Sequence, residues 1–262
     1  MLRWGVYMEL WSNVRMAPTA STDFGFESVP WEEKTSRVRG VFNSVAGRYD
    51  IMNDLMSGGL HRLWKAAFMT WLRPRVDMHL LDLAGGTGDI AFRFLAGGGG
   101  GVTVTDINQE MLFVGKSRAK GRRIDGNIEW LCANGECLPV PDASVDAVTC
   151  AFGIRNMTDK PRALAEMRRV LKPGGRFLCL EFSQLALPGL KGLYDKYSFQ
   201  VLPRLGRLVA DDEASYRYLA ESIRTFPDQD TFAAMIADAG LDKVSYRNLS
   251  GGVAAMHSAW RI

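Results

Sequence analysis

Cysteine and histidine are scarce in this chain: Cys132, Cys137, Cys150 and Cys179 are its four cysteines, and three histidines are scattered over 262 residues. No two cysteines form a CxxC pair, so neither a disulfide framework nor a metal centre is readable, and the usage fits a reducing compartment. No uncharged apolar run approaches the ~18 residues of a membrane-spanning helix. Neither sign of charge dominates, with 32 Lys and Arg against 29 Asp and Glu, a net charge of +3 and a pI near 8.7. Without a Lys/Arg block, charge gives no ground for a nucleic-acid partner. What the chain does have is 47% apolar residues, enough for the core of one large α/β domain.

The most informative stretch is His79 to Asp89, reading His-Leu-Leu-Asp-Leu-Ala-Gly-Gly-Thr-Gly-Asp. A short apolar run of strand type leads into Gly85, Gly86 and Gly88, where the backbone can turn sharply, and Ile90 to Leu95 continues as a helical pattern. A strand, a glycine turn and a helix start present unpaired N–H groups to a nucleotide. Gly86-Thr87-Gly88-Asp89-Ile90-Ala91 satisfies the G-x-G-x-x-A form of the dinucleotide fingerprint, which keeps an NAD-dependent oxidoreductase open. Asp82 and Asp89 favour S-adenosylmethionine instead, because carboxylates around the loop repel a pyrophosphate and attract a sulfonium ligand carrying an amino group.

Along the chain, Met1 to Trp11 is apolar and aromatic, but Glu9 interrupts it and no small-residue cleavage site follows, which argues against a secretory signal. Arg3 and Arg15 leave a mitochondrial transit peptide open, and Met8 and Met16 offer later starts. Residues 1–30 are expected to form a poorly ordered extension, and residues 31–262 a single domain. Residues 31–75 read as a helical lid, with Ser57-Gly58-Gly59 as a hinge between two helical pieces. Gly97 to Gly101 reads as a flexible connection to a strand at Val102 to Thr105, which ends in Asp106, placed to accept the hydroxyls of a ribose. Ile128 to Cys132 and Val145 to Ala151 read as the third and fourth strands. Arg155 and Asn156 follow the fourth, where open α/β sheets place their chemistry; Arg155 alternatively forms an ion pair with Asp146 or Asp159. Pro161 to Leu171 is an amphipathic helix ended by Lys172-Pro173-Gly174-Gly175, and Arg176 to Leu180 is the fifth strand, with Glu181 and Ser183 beyond it. Residues 185–220 form a helical insertion whose stretch from Leu187 to Leu208 suits a bilayer surface and a core-facing helix equally. Asp228 and Thr231 cap a helix closed by Gly240, and two antiparallel strands finish the sheet.

Two motifs carry a resemblance. Tyr49-Asp50-x-Met52-Asn53-x-x-x-Ser57-x-x-x-His61-x-x-Trp64 resembles the first signature of the ubiquinone/menaquinone-biosynthesis C-methyltransferases, with seven fixed positions across sixteen residues. Arg169-Val170-Leu171-Lys172-Pro173-Gly174-Gly175-Arg176-Phe177-Leu178-Cys179-Leu180-Glu181-Phe182-Ser183 resembles the second. The similarity runs from about Val41 to the C-terminus, with departures at Ala151, where the family often has Ser, and Phe226, where it often has His. The resemblance implies a class I S-adenosylmethionine-dependent methyltransferase, an α/β fold with a Rossmann-like seven-stranded sheet, helices on both faces and an N-terminal helical lid. Its implied reaction is methyl transfer from S-adenosylmethionine to a ring carbon of a polyprenyl benzoquinol or demethylmenaquinol.

On that reading Asp82, Gly86, Thr87, Gly88, Asp106, Asn134 and Gly135 bind the cofactor, Asn134 and Gly135 against its adenine. Arg155 and Asn156, with Tyr49 or Asn53 from the lid, hold the ring oxygen as it becomes anionic. The implied partners are the polyprenyl quinol, the membrane by peripheral contact, and other quinone-biosynthesis enzymes. The implied location is cytoplasmic, peripheral to the inner membrane, or the matrix side in a mitochondrion. A non-catalytic, S-adenosylmethionine-binding member of a quinone-synthesis assembly remains an alternative.

Overall fold

Short buried runs of Leu, Val and Ala, separated by amphipathic helices, assemble into one seven-stranded sheet. In this computed structural model, residues 21–45, 53–54, 56–185 and 213–262 are described. The sheet strands are β3 (His79–Leu83), β4 (Gly101–Asp106), β5 (Ile128–Cys132), β6 (Val145–Ala151), β7 (Leu171–Phe182), β8 (Asp242–Leu249) and β9 (Ala254–Trp260). Their spatial order is β5-β4-β3-β6-β7-β9-β8. The first five are mutually parallel, and β9 runs antiparallel between β7 and β8. Strand order therefore reverses between β3 and β6, the place where open α/β sheets form a crevice at their carboxyl ends.

Alternation of side chains along the strands sends two sets of apolar residues to opposite faces. Along β7, Leu178, Leu180 and Phe182 join one cluster, and Phe177 and Cys179 the other. Helices α2 (His61–Leu72), α3 (Asp89–Ala96), α4 (Gln109–Arg122) and α6 (Glu213–Thr225) supply Phe68, Phe94, Leu112 and Leu219 to the first face. Helices α5 (Lys160–Val170) and α7 (Gln229–Asp238) supply Leu164, Met167, Phe232 and Ile236 to the second. Their starts follow from their caps: Asn108 accepts from Met111 N, Asp159 from Arg162 N, and Asp228 from Thr231 N.

The structure differs from the sequence expectation in three places. Within the segment expected to be an extension, β1 (Ser21–Phe24) and β2 (Glu27–Pro30) form an antiparallel hairpin. Its Phe24 ring stacks on Tyr218 of α6, so the hairpin is held by tertiary contact that local composition does not reveal. Residues 1–20 lie outside the described residues, as do 46–52 in the lid and 186–212 in the insertion. The glycine run after α3 is packed rather than slack: a Cβ on Gly99 would overlap the Phe94 ring, and one on Gly100 would overlap Val76 O. Finally, Lys172 to Gly175 lies inside the extended run of β7, as a bulge between the Val145–Leu171 and Ala147–Arg176 pairs, where Arg261 N donates to Gly175 O at 3.0 Å.

Helix α4 carries two glycines of opposite meaning. A Cβ on Gly115 would stand 2.5 Å from the Trp130 ring and 3.0 Å from the Thr87 carbonyl carbon, whereas Gly121 faces open space. Gly115 thus lets α4 lie against the glycine turn. Thermal unfolding should separate them: Gly121→Ala gains about 0.5–1 kcal/mol of helix propensity and raises Tm by about 1–4 °C. Gly115→Ala lowers Tm despite the same gain, since overpacking costs about 1–3 kcal/mol. Equal rises in both variants would contradict a close α4–turn contact.

Candidate active site

Above the carboxyl ends of β3 to β6 lies a solvent-open cleft whose empty space, mouth included, is about 770 Å³. Its floor is Leu83, Ala84 and Gly86; its near wall is Asp106, Ile107, Asn108 and Met111; its far wall is Phe152, Gly153, Asn156, Met157 and Thr158. Ala133 to Glu136, after β5, join the two walls. Helix α1 (Trp31–Val45) roofs it with Thr35, Val38, Arg39 and Phe42. The roof is fastened on both sides, by Asn108 Nδ2 donating to Asn43 Oδ1 at 2.8 Å and by a Thr35–Thr158 hydroxyl contact at 3.4 Å.

The glycine turn takes its shape from left-handed residues, Gly86 at φ 54° and Gly88 at φ 83°. Gly86 N donates to Asp106 Oδ2 at 2.9 Å, and Asn108 N donates to Asp106 Oδ1 at 2.8 Å. Each carboxylate oxygen keeps a lone pair for another donor. Burial pushes the Asp106 carboxyl up to about 6, while the two N–H groups pull the other way. Asn134 Oδ1 accepts from Glu136 N, and Glu136 Oε1 accepts from both Thr158 N and Asp159 N, at 2.7 and 3.0 Å. That carboxylate ties the turn after β5 to the loop after β6.

Five of the expected site residues meet in this cleft: Gly86, Asp106, Asn134, Gly135 and Asn156. Asp82, Thr87 and Gly88 do not line it. Asp82 is buried beneath the turn, taking a hydrogen bond from Thr149 Oγ1 at 2.9 Å on one oxygen, with its Oδ2 left without a partner among the described residues. Burial, reinforced by Asp89 and Asp106, pushes its carboxyl up to about 7. It contributes a field from below rather than a contact. Thr87 accepts from Arg118, and Gly88 caps α3 under the Trp130 ring. Asp89 is not a free charge at the loop: Lys65 and Arg93 hold its two oxygens at 2.8 and 3.0 Å. The negative side of the cleft comes instead from Asp106 and Glu136.

Arg155 also departs from expectation. Its guanidinium is buried, donating to Glu181 Oε1 at 2.7 Å and to Phe152 O at 2.6 Å, so its head turns into the protein and not into the cleft. Neither Asp146, held by Lys172, nor Asp159, which caps α5, is its partner. Removing one member of such a buried pair costs about 3–5 kcal/mol by leaving the other charge uncompensated. Glu181 is therefore committed to Arg155, and Ser183 is buried with its hydroxyl unpaired among the described residues. Tyr49 lies outside the described residues. Asn53 is buried, its Nδ2 without a partner among the described residues.

The roof helix falls in the segment expected to be a helical lid, but its cleft-lining residues Thr35, Val38, Arg39 and Phe42 were not singled out, although they are spaced i, i+3, i+4, i+7, the stripe of one helix face. Sequence reasoning also missed Ile107 and Met111. Together these residues fit a nucleoside: a carboxylate with spare lone pairs for vicinal hydroxyls, apolar side chains for a base, and a floor glycine whose Cβ would stand 3.0 Å from Met111 Cε.

The family model described as the ubiE/COQ5 methyltransferase family matches residues 31–261. A ubiquinone/menaquinone biosynthesis C-methyltransferase of Acidiphilium cryptum is 60% identical over 250 residues, covering 94% of this chain and 100% of that protein. The protein of the same name from Methylobacterium nodulans is 59% identical, covering 94% and 99%. Among solved structures, a SAM-dependent methyltransferase from Thermotoga maritima superposes with a TM-score of 0.63 at 16% identity, covering 86% of this chain and 100% of that one. Geranyl diphosphate C-methyltransferase from Streptomyces coelicolor, solved with S-adenosyl-L-homocysteine, gives 0.56 at 17% identity, covering 79% and 82%. These likenesses in structure bear on the fold, which is that of class I methyltransferases.

The Asp106 geometry generates a pH dependence for nucleoside binding. Its carboxylate accepts two hydroxyls in charge-assisted bonds only when ionised, so protonation below about 6 turns one oxygen into a donor and weakens the grip on both. Calorimetric titration with S-adenosylhomocysteine should show Kd constant from pH 7 to 8 and rising by up to about tenfold per unit below pH 6. Asp106→Asn should weaken binding at pH 7.5 by about tenfold or more, the scale of one charge-assisted hydrogen bond, and flatten the acid limb. An unchanged acid limb in that variant would contradict the assignment.

Proposed function

The chain belongs to the ubiE/COQ5 methyltransferase family, and from that premise we propose how its cleft methylates a quinol ring. It is an S-adenosylmethionine-dependent C-methyltransferase of ubiquinone/menaquinone biosynthesis. The observation that carries this is near-complete coverage at 60% identity by a C-methyltransferase of that pathway, on a chain whose cleft fits a nucleoside. The substrate is a quinone precursor, here a polyprenyl benzoquinol or demethylmenaquinol.

S-adenosylmethionine, when bound, supplies an electrophilic methyl carbon. Asp106 would hold the ribose hydroxyls, Asn134 and Gly135 the adenine, and Gly86 the close approach of backbone to ligand. Asp82, its carboxyl raised to about 7 by burial below the turn, would favour a cationic ligand over a pyrophosphate in its ionised form. Methylation at carbon needs an electron-rich ring, which loss of a proton from a ring hydroxyl to water supplies; the hydrogen on the methylated carbon is lost to water afterwards as the ring regains aromaticity. Asn156 faces the cleft with its Nδ2 free of any partner among the described residues, so it can donate to that oxygen as negative charge develops. Arg155 acts from behind, its positive charge largely matched by Glu181, and fixes the shape of the loop that carries Asn156. Tyr49, on the lid, would complete the oxygen's hydrogen bonds. The roof and the apolar walls exclude water and align the ring carbon with the methyl.

The polyprenyl tail gives the reason for peripheral contact with the bilayer, since each buried CH₂ costs about 0.8 kcal/mol to expose to water. Among the described residues no helix is long and apolar enough to cross a membrane. We place the enzyme at the inner face of the membrane that holds the quinone pool, cytoplasmic or matrix-side, within reach of other quinone-biosynthesis enzymes.

Quinones extracted from cells lacking the gene and weighed by mass spectrometry test the reading. Accumulation of a species one methyl short of ubiquinone or menaquinone, restored by the gene, is the expected outcome. An unchanged quinone pool would contradict the substrate assignment.

A further inference from the structure

We infer that Tyr218 is a positioning residue for the methyl transfer: its hydroxyl fixes the side-chain amide of Asn156, and the N-terminal hairpin holds Tyr218 in place through Phe24. This rests on the reading of Asn156 as a donor to the substrate oxygen. An asparagine amide has two ends of nearly equal size and opposite hydrogen-bonding sense, so a site that needs one end must have something to select it. Here Tyr218 donates to Asn156 Oδ1 at 3.0 Å, across 62 residues of chain. With Oδ1 committed, Nδ2 is the end left for the cleft.

Tyr218 is suited to be a constant donor. It is 4% exposed, so its hydroxyl has lost water and the Asn156 oxygen is its partner. Burial holds the phenol well above its ordinary range, with Glu181 raising it and Arg155 opposing, so it keeps its proton at any working pH. The position of the ring is set from outside the methyltransferase core. Phe24 stacks on it with centroids 4.3 Å apart and planes 21° from parallel. Arg37 lies over the Phe24 ring at 5.7 Å. One turn further along α6, Glu221 Oε2 accepts from Phe26 N at 3.2 Å, which pins the hairpin tip to the same helix. Hairpin, ring and amide thus form one chain of contact ending in the cleft, and Tyr218 and Glu221 of α6 gain a role beyond packing.

A double-mutant cycle tests this on the full chain with S-adenosylmethionine and a short-tailed quinol substrate. Tyr218→Phe keeps the ring and the stack and removes only the hydroxyl. It should lower kcat about five- to tenfold, the scale of one hydrogen bond, with quinol KM and the Kd for S-adenosylhomocysteine within about twofold of wild type. Asn156→Ala should lower kcat further, and adding Tyr218→Phe to it should change kcat by less than about twofold, because the hydroxyl no longer has anything to orient. Phe24→Leu, which leaves α6 untouched, should give a smaller loss of the same kind, with thermal unfolding confirming the fold of each variant. Equal losses from Tyr218→Phe in both backgrounds would overturn the inference, as would full activity of Tyr218→Phe while Asn156→Ala is impaired. Full activity of Asn156→Ala itself would overturn the reading of Asn156 on which the inference stands, a distinct result.

Discussion

Two backbone hydrogen bonds to one carboxylate organise the cofactor half of this molecule. Asp106, at the end of β4, receives Gly86 N from the glycine turn and Asn108 N from the start of α4. Because Asn108 caps α4 and reaches Asn43 in α1, the same few residues fix turn, helix and roof together. Gly115 lets α4 come close enough for this, and Trp130 fills the space that Gly88 and Gly115 leave. Burial raises the proton affinity of Asp106, and the donors around it keep the ionised form accessible near neutrality. A ligand offering two more donors favours that form further.

The charges elsewhere are arranged so that few are left over. Arg155 and Glu181 neutralise each other under the loop after β6, and Lys65 and Arg93 neutralise Asp89 beside the turn. Near the site three polar groups keep bonding capacity to spare: Asp82 Oδ2 beneath the turn, the lone pairs of Asp106, and the amide Nδ2 of Asn156. A buried polar group without a partner is costly, so atoms left in that state near a cleft mark where a ligand completes the structure. On this view the hairpin at residues 21–30 belongs to the catalytic apparatus by way of Tyr218, although none of its side chains lines the cleft.

Much of this was legible in the order of residues. The strands Ile128–Cys132 and Val145–Ala151 begin and end where the sequence places them, because short buried runs bounded by turn residues leave little freedom. Gly86, Asp106 and Asn156 were readable because each follows the carboxyl end of a strand, Asn134 and Gly135 only through the family resemblance, and strand order brings all five to one cleft. The direction of Arg155 was not, since its partner Glu181 is 26 residues away and meets it only because β6 and β7 are neighbours. Asp89 misled for the same reason, as Lys65 approaches from α2. The hairpin escaped notice because Phe24 gains its meaning from a ring nearly two hundred residues later.

The central claim is transfer of a methyl group to a ring carbon in this cleft. Incubating the purified protein with S-adenosylmethionine bearing a trideuterated methyl and a short-tailed demethylated quinol tests it directly. The account predicts a product heavier by one trideuterated methyl in place of a ring hydrogen, with fragmentation locating the label on ring carbon. Label on a ring oxygen, or no transfer by a protein that binds S-adenosylhomocysteine, would contradict it.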